Sequence, residues 1–182
     1  MHYQRDRLHL DESGWCLRAN SVCANNCARV FFSVASRLGD GVAWYALMAI
    51  LIVLDGMDGL FASAHLAGTG VIALFLYKAL KRWTRRPRPF SSDERIRAWV
   101  APLDEFSFPS GHTLHAVAFS LVAVAHYPDL AWLLAPFTVV VAASRVALGL
   151  HYPSDVLAAT VIGTALAAVS LWLVPSVLLF SL

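Results

Sequence analysis

Charge is what this sequence has least of: 14% of its 182 residues are charged, against 58% that are hydrophobic. That balance excludes an ordinary soluble domain, in which about a quarter of the residues carry charge. Apolar runs of about 20 residues, the length a helix needs to cross a bilayer core, recur instead. Cysteine is also scarce. Cys16, Cys23 and Cys27 form no CxxC pair and have no histidine at zinc-finger spacing, so they read as free thiols. The N-terminal stretch from Met1 to Trp15 carries charges with no apolar run behind them, which argues against a cleaved signal peptide. No internal repeat or low-complexity tract occurs, and nothing points to nucleic acid as a partner.

Four segments, 60–80, 111–127, 130–150 and 156–178, read as spanning helices. A fifth, Val42 to Leu54, has 13 residues and crosses only with help from its flanks or a thinned bilayer. Upstream, Val30 to Leu38 is apolar in patches and interrupted by Arg37, which fits an amphipathic helix lying in the interface. A sixth span around residues 20–38 is the alternative. Tight turns are expected at Asp55-Gly56-Met57-Asp58-Gly59 and at Tyr127-Pro128-Asp129. The expected fold is therefore all-α, a multi-pass transmembrane bundle forming one domain over residues 1–182. An N-terminal interfacial segment occupies 1–40 and a polar loop 81–110.

Three polar clusters break the apolar pattern, and ionisable groups beside membrane helices are functional candidates. Lys81 to Pro89 follows one helix, Pro109-Ser110-Gly111-His112 precedes the next, and Ser144-Arg145 through His151 to Asp155 joins the last two. Counting passes puts all three on one membrane face, whichever way the chain is oriented. Lys81, Arg88 and Arg145 suit a phosphate, arginine giving forked hydrogen bonds and lysine a point charge. Ser110 and the Gly111 amide sit at a helix start, where unpaired N–H groups favour anions. Asp155, four residues after His151, lies on the same face if the helix begins there, leaving the far ring nitrogen free to attack phosphorus. His112 is the candidate general acid and then base. Fixed cations stabilise the transition state, so this chemistry asks for no metal or other cofactor.

The pattern Lys81-x6-Arg88-Pro89, Pro109-Ser110-Gly111-His112 and Ser144-Arg145-x5-His151-x3-Asp155 resembles the type 2 phosphatidic acid phosphatase (PAP2) family, which includes vanadium haloperoxidases. The resemblance spans residues 81–155 and is complete at every motif position. It implies a helical bundle in which His151 is the nucleophile, Asp155 its partner and His112 the acid. Lys81, Arg88, Ser110, Gly111 and Arg145 would hold the phosphate. Relatives of this kind commonly carry six spans where five are clear here.

Blander readings apply elsewhere. Arg82, Arg85 and Arg86 read as a topology anchor or anionic-lipid contact. His115 and His126 could join His112 in a metal site, but no carboxylate or cysteine accompanies them at ligand spacing. His65 reads as a lone polar residue in a helix interface, and Gly163-x3-Ala167 as close helix packing.

The expected activity is hydrolysis of a lipid phosphomonoester or pyrophosphate through a phosphohistidine. Phosphatidylglycerophosphate, phosphatidic acid and polyprenyl pyrophosphate are the candidate substrates. The rivals are a non-enzymatic anionic-lipid-binding or transport protein and, on the enzyme side, a haloperoxidase. A bacterial inner membrane is the expected location. The positive-inside rule places the catalytic face in the cytoplasm, while the family resemblance pulls toward the outer face.

Overall fold

The structure, a computed structural model, describes residues 2–174, with side chains from Glu12 onward. The end of the last expected span, residues 175–178, lies outside the described residues. Among these residues the chain is all-helical, in the order α1 (His2–Val22), α2 (Asn26–Arg37), α3 (Ala43–Thr84), the single turn α4 (Pro89–Ser92), α5 (Gly111–His126), α6 (Ala131–Ala147) and α7 (Pro153–Leu173). A π turn, Leu38–Val42, joins α2 to α3, and a 3-10 turn, Pro128–Leu130, joins α5 to α6.

Local chemistry sets the boundaries. The Asn25 side chain starts α2 by accepting from the Cys27 and Ala28 amides, and Ser110 starts α5 by accepting from the Thr113 amide. Pro89, Pro128 and Pro153 occupy first turns, where a missing N–H leaves no bond unmade.

α3 is two antiparallel limbs. Gly56 takes φ 56° and ψ −117°, and the chain doubles back there. Ser63 Oγ donates to the Met48 carbonyl at 3.1 Å, and a Cβ on Gly59 would lie 2.0 Å from the Leu51 carbonyl oxygen. In one continuous rod, residues eight apart would be separated by about 12 Å along the axis. The turn expected from Asp55 to Gly59 is thus present. The first limb, residues 43–55, is about 20 Å long at 1.5 Å per residue. It is extended by α2 through the π turn, where Gly41 takes φ 121°. The stretch 30–38 is therefore helical and leads directly into the first limb, with Val30, Phe31 and Val34 exposed and Ala35 and Ser36 buried.

Three helical stretches are long and apolar enough to cross a membrane: Asn26–Ser92, which contains the reversal, Pro128–Ala147 and Pro153–Leu173. α5 is shorter and the most enclosed, with Leu114, Ala116, Ala118, Val122 and Ala123 fully buried between α3, α6 and α7. Gly163 lets α7 approach, since a Cβ there would meet the Leu114 carbonyl at 2.8 Å. Trp44 from the first limb packs its ring against Phe119 of α5 and Phe137 of α6, with centroids 5.1 and 5.6 Å apart.

The second limb of α3 ends where α5 starts, α6 ends and α7 starts, so one end of the bundle gathers the polar motifs. The other end is tied by Tyr127 donating to Asp55 at 2.6 Å. Near it, His65 lies 3.0 Å from a ring nitrogen of His126 and 2.7 Å from Ser170 Oγ, which also bonds Thr69. His65 is thus not the lone polar residue expected from the sequence. It finds partners because a polar group between apolar helices must be satisfied internally.

Candidate active site

Around a cavity of about 410 Å³ stand Lys81, Arg88, Gly111, His112, Arg145 and His151. Ser110 and Asp155 lie behind this lining, fully buried. The eight residues singled out in the sequence therefore meet at one end of the bundle.

The cations are sunk into the protein: Lys81, Arg88 and Arg145 are exposed by only 5, 2 and 3%. Lys81 closes the last turn of α3 and donates to Asp104 Oδ1 at 2.6 Å and to the Phe106 carbonyl at 2.8 Å. Arg88 precedes α4 and spreads its fork over three groups. Nε donates to the Asp104 carbonyl (3.0 Å), Nη1 to the Leu150 carbonyl (2.9 Å) and Nη2 to Asp104 Oδ1 (2.7 Å). Arg145 donates through Nη1 to Ser36 Oγ, while its buried Nε has no hydrogen-bond partner among the described residues. A buried cation lacking full compensation costs several kcal/mol, so this arrangement suits an anion that completes it.

His151 lies in the short link between α6 and α7, its backbone N–H donating to the Arg145 carbonyl at 3.1 Å. Nε2 lies 3.4 Å from Arg88 Nη1. Burial, then the charges of Arg145, Arg88 and Lys81, push its pKa well below the usual imidazole value, so the ring is neutral and one ring nitrogen keeps a lone pair. Nδ1 is 3.6 Å from Asp155 Oδ2, an electrostatic approach longer than a hydrogen bond.

The expected reason for that pairing needs correction. His151 does not ride α7, which begins at Pro153. Asp155 is the third residue of α7, and its Oδ2 turns back to accept from the Tyr152 N–H at 2.9 Å. A capping interaction, rather than a shared helical face, brings the carboxylate under the ring. Ser110 joins the same knot, its N–H donating to the Asp155 carbonyl at 3.3 Å.

Arg86 also departs from its sequence reading as a topology anchor. Arg82 and Arg85 are exposed, but Arg86 donates to Asp155 Oδ1 and Ser154 Oγ, both at 2.7 Å, and its guanidinium lies 4.2 Å from the centre of the Tyr152 ring. Glu12 of α1 accepts from Arg86 at 2.5 Å and from the Ser154 N–H at 3.3 Å. A chain Glu12–Arg86–Asp155–His151 thus links the N-terminal helix to the buried imidazole.

Two aspartates face the cavity that sequence reasoning did not single out. Asp40, in the π turn, places Oδ1 3.5 Å from His112 Nε2. Asp104, in the loop before α5, bridges Lys81 and Arg88. Burial works to raise its carboxyl, but bonds to Lys81 and the charges of Lys81 and Arg88 hold it below the usual carboxylate range. The alternative histidine set is not brought together: His115 turns its nitrogens to the Gly111 and Gly70 carbonyls at 3.0 and 3.3 Å, and His126 lies at the far end with His65. Among the described residues no group of three metal-ligand side chains converges.

The chain is similar to several known proteins. Undecaprenyl-diphosphatase BcrC of Bacillus subtilis is 31% identical over 119 residues, which are 65% of this chain and 61% of that protein. Phosphatidylglycerophosphatase B of Escherichia coli is 40% identical over 77 residues, 37% of this chain and 29% of that one. The chain thus spans less than two thirds of either relative. Among solved structures, LpxE of Aquifex aeolicus superposes with a TM-score of 0.75 at 24% identity, covering 87% of this chain and 93% of its own. A PAP2 type phosphatidylglycerolphosphate phosphatase of Bacillus subtilis superposes with the same TM-score at 23% identity, covering 92 and 86%. These two likenesses establish the fold. The family model of the PAP2 superfamily matches residues 62–178, the stretch that carries all three motif clusters, and the chain belongs to that superfamily.

Proposed function

We propose that this protein hydrolyses a terminal phosphate or pyrophosphate of a membrane lipid, with His151 as nucleophile. The observation that carries the reading is three buried cations converging beside a neutral buried imidazole. His151 Nε2 attacks phosphorus while the bond to the leaving oxygen breaks, and His112 delivers a proton to that oxygen. Water then attacks the phosphohistidine, His112 takes its proton, and the P–N bond breaks to release inorganic phosphate. Lys81, Arg88 and Arg145, with the α5 N-terminus at Ser110 and Gly111, neutralise the equatorial oxygens throughout. Asp155 holds His151 in place. The residue roles are those the family resemblance implies.

The lipid character of the substrate is supported by the rest of the cavity. Away from the cations its wall is apolar, built from Trp44, Met48, Ala67, Val71, Leu74 and Phe119. A hydrocarbon chain fits between the two limbs of α3 with the phosphate at the cations. The names of the relatives point to polyprenyl pyrophosphate and phosphatidylglycerophosphate as the first substrates to try.

We place the catalytic end in the cytoplasm of a bacterial inner membrane, with five spans: both limbs of α3, α5, α6 and α7. None of the 14 Lys and Arg falls within 38–77, 98–144 or 146–182, so the far turns carry only acidic charge, at Asp55, Asp58 and Asp129. α1 and α2 then form the interfacial segment, and residues 81–110 the loop that completes the site.

The rival is a membrane protein that binds anionic lipid without turning it over. Phosphate release from short-chain phosphatidic acid and from farnesyl pyrophosphate, in detergent containing EDTA, separates them. The wild type turns over, and His151→Ala loses at least about a thousandfold in kcat. Equal activity in both proteins removes His151 from its role; activity in neither, with intact folding, favours the binding protein.

A further inference from the structure

Two of the three buried cations, Lys81 and Arg88, are already occupied by an anion of the protein itself. One carboxylate oxygen of Asp104 accepts from Lys81 at 2.6 Å and from Arg88 at 2.7 Å. Their donors are nearly used up. An ammonium has three N–H groups, and Lys81 commits two, to Asp104 and the Phe106 carbonyl. A guanidinium has five. Arg88 commits three to Asp104 and the Leu150 carbonyl, and a fourth lies against His151 Nε2 at 3.4 Å. One free N–H on each cannot grip a phosphate. Arg145, by contrast, keeps a buried Nε open.

We propose that Asp104 is an internal stand-in for the substrate phosphate, which displaces it from Lys81 and Arg88 on binding. This rests on the function proposed above and adds a residue that sets the affinity of the site. Three features support exchange over permanent residence. The Asp104 side chain is 38% exposed, whereas those of Lys81 and Arg88 are 6 and 2% exposed, so the carboxylate sits on the solvent side of the cations. Its backbone carbonyl separately holds Arg88 Nε, so the carboxylate turns away while the loop stays anchored. A phosphate has three free oxygens and can bridge Lys81, Arg88 and Arg145 together, where the carboxylate uses one oxygen for two cations. Both anions at once would place like charges in contact. Between turnovers Asp104 compensates two buried cations that would otherwise be unpaired, and on binding the ligand takes over that role.

The test is the binding of orthophosphate and orthovanadate to the detergent-solubilised full chain by calorimetry, which needs no turnover. Asp104→Asn removes the charge with little change of shape, and is expected to bind both anions about tenfold more tightly, the scale of one charged hydrogen bond. KM for the lipid substrate falls in parallel. Asp104→Glu keeps a carboxylate within reach and binds within about threefold of the wild type. Unchanged or weaker anion binding by Asp104→Asn overturns the proposal, because a carboxylate that merely props the cations would lower affinity when neutralised. Should that variant lose its cooperative melting transition, Asp104→Ser decides the same comparison. A wild type that binds phosphate but hydrolyses no lipid phosphate refutes the proposed function and leaves this test standing.

Discussion

At the residue scale, the site is organised by who holds whom. Asp155 has been drawn away from His151 by two stronger partners, the Tyr152 amide and Arg86, and keeps only a 3.6 Å approach to the imidazole. Under the proposed mechanism Arg86 is therefore a positioning residue: it fixes the carboxylate that faces the His151 imidazole. Arg86→Ala is expected to lower kcat by about tenfold to a hundredfold with KM changed less than about threefold, the loss of one charged hydrogen bond to a buried group. Arg82→Ala and Arg85→Ala stay within about twofold, since both side chains are exposed. A uniform loss across the three variants would return Arg86 to the role of a surface anchor. The sequence showed a run of basic residues without a way to rank them, because what distinguishes Arg86 is Glu12, 74 positions away. The motif residues were easier to read. Proline, serine, glycine and histidine in that order before an apolar run announce a helix start, and Ser110 to His112 stand at one.

At the scale of elements, α3 carries the most information. The turn signal at Asp55 to Gly59 was visible, because a glycine-aspartate cluster inside an apolar run has little use except reversal. The way the short first limb is lengthened was not visible. Val42 to Leu54 is too brief by itself, and its extension comes from α2 across a π turn whose defect at Asp40 and Gly41 follows no periodicity a sequence displays. That defect carries Asp40, which lies 3.5 Å from His112, and it borders the cavity whose apolar wall comes from both limbs. Ala67→Trp is expected to fill the space beside that wall. KM for long-chain lipid phosphates should rise about tenfold or more while hydrolysis of p-nitrophenyl phosphate stays within about twofold, as a steric block remote from the phosphate would do. Equal loss on both substrates would show that the chain binds elsewhere.

Across the whole molecule, the all-helical fold and the gathering of three distant motifs at one end were legible because apolar runs and their parity constrain a membrane chain so strongly. What parity leaves open is absolute orientation, and the thiols can report it. Cys16 and Cys23 are buried, and burial, aided by Glu12 and Asp155, drives the Cys16 thiol up to about 12, whereas Cys27 is exposed. A membrane-impermeant maleimide should therefore label one position, Cys27, and only in inverted vesicles when the catalytic end faces the cytoplasm. Labelling of intact cells would reverse the orientation.

The contact between Glu12 and Arg86 joins α1 to a stretch of PAP2 character that begins only at residue 62. A fragment cut there would keep every signature motif and still be missing α1, the upstream brace that steadies Asp155 through Arg86. Signature motifs can thus be shared by chains whose catalytic competence differs, according to what each has built ahead of them to hold the charge network taut.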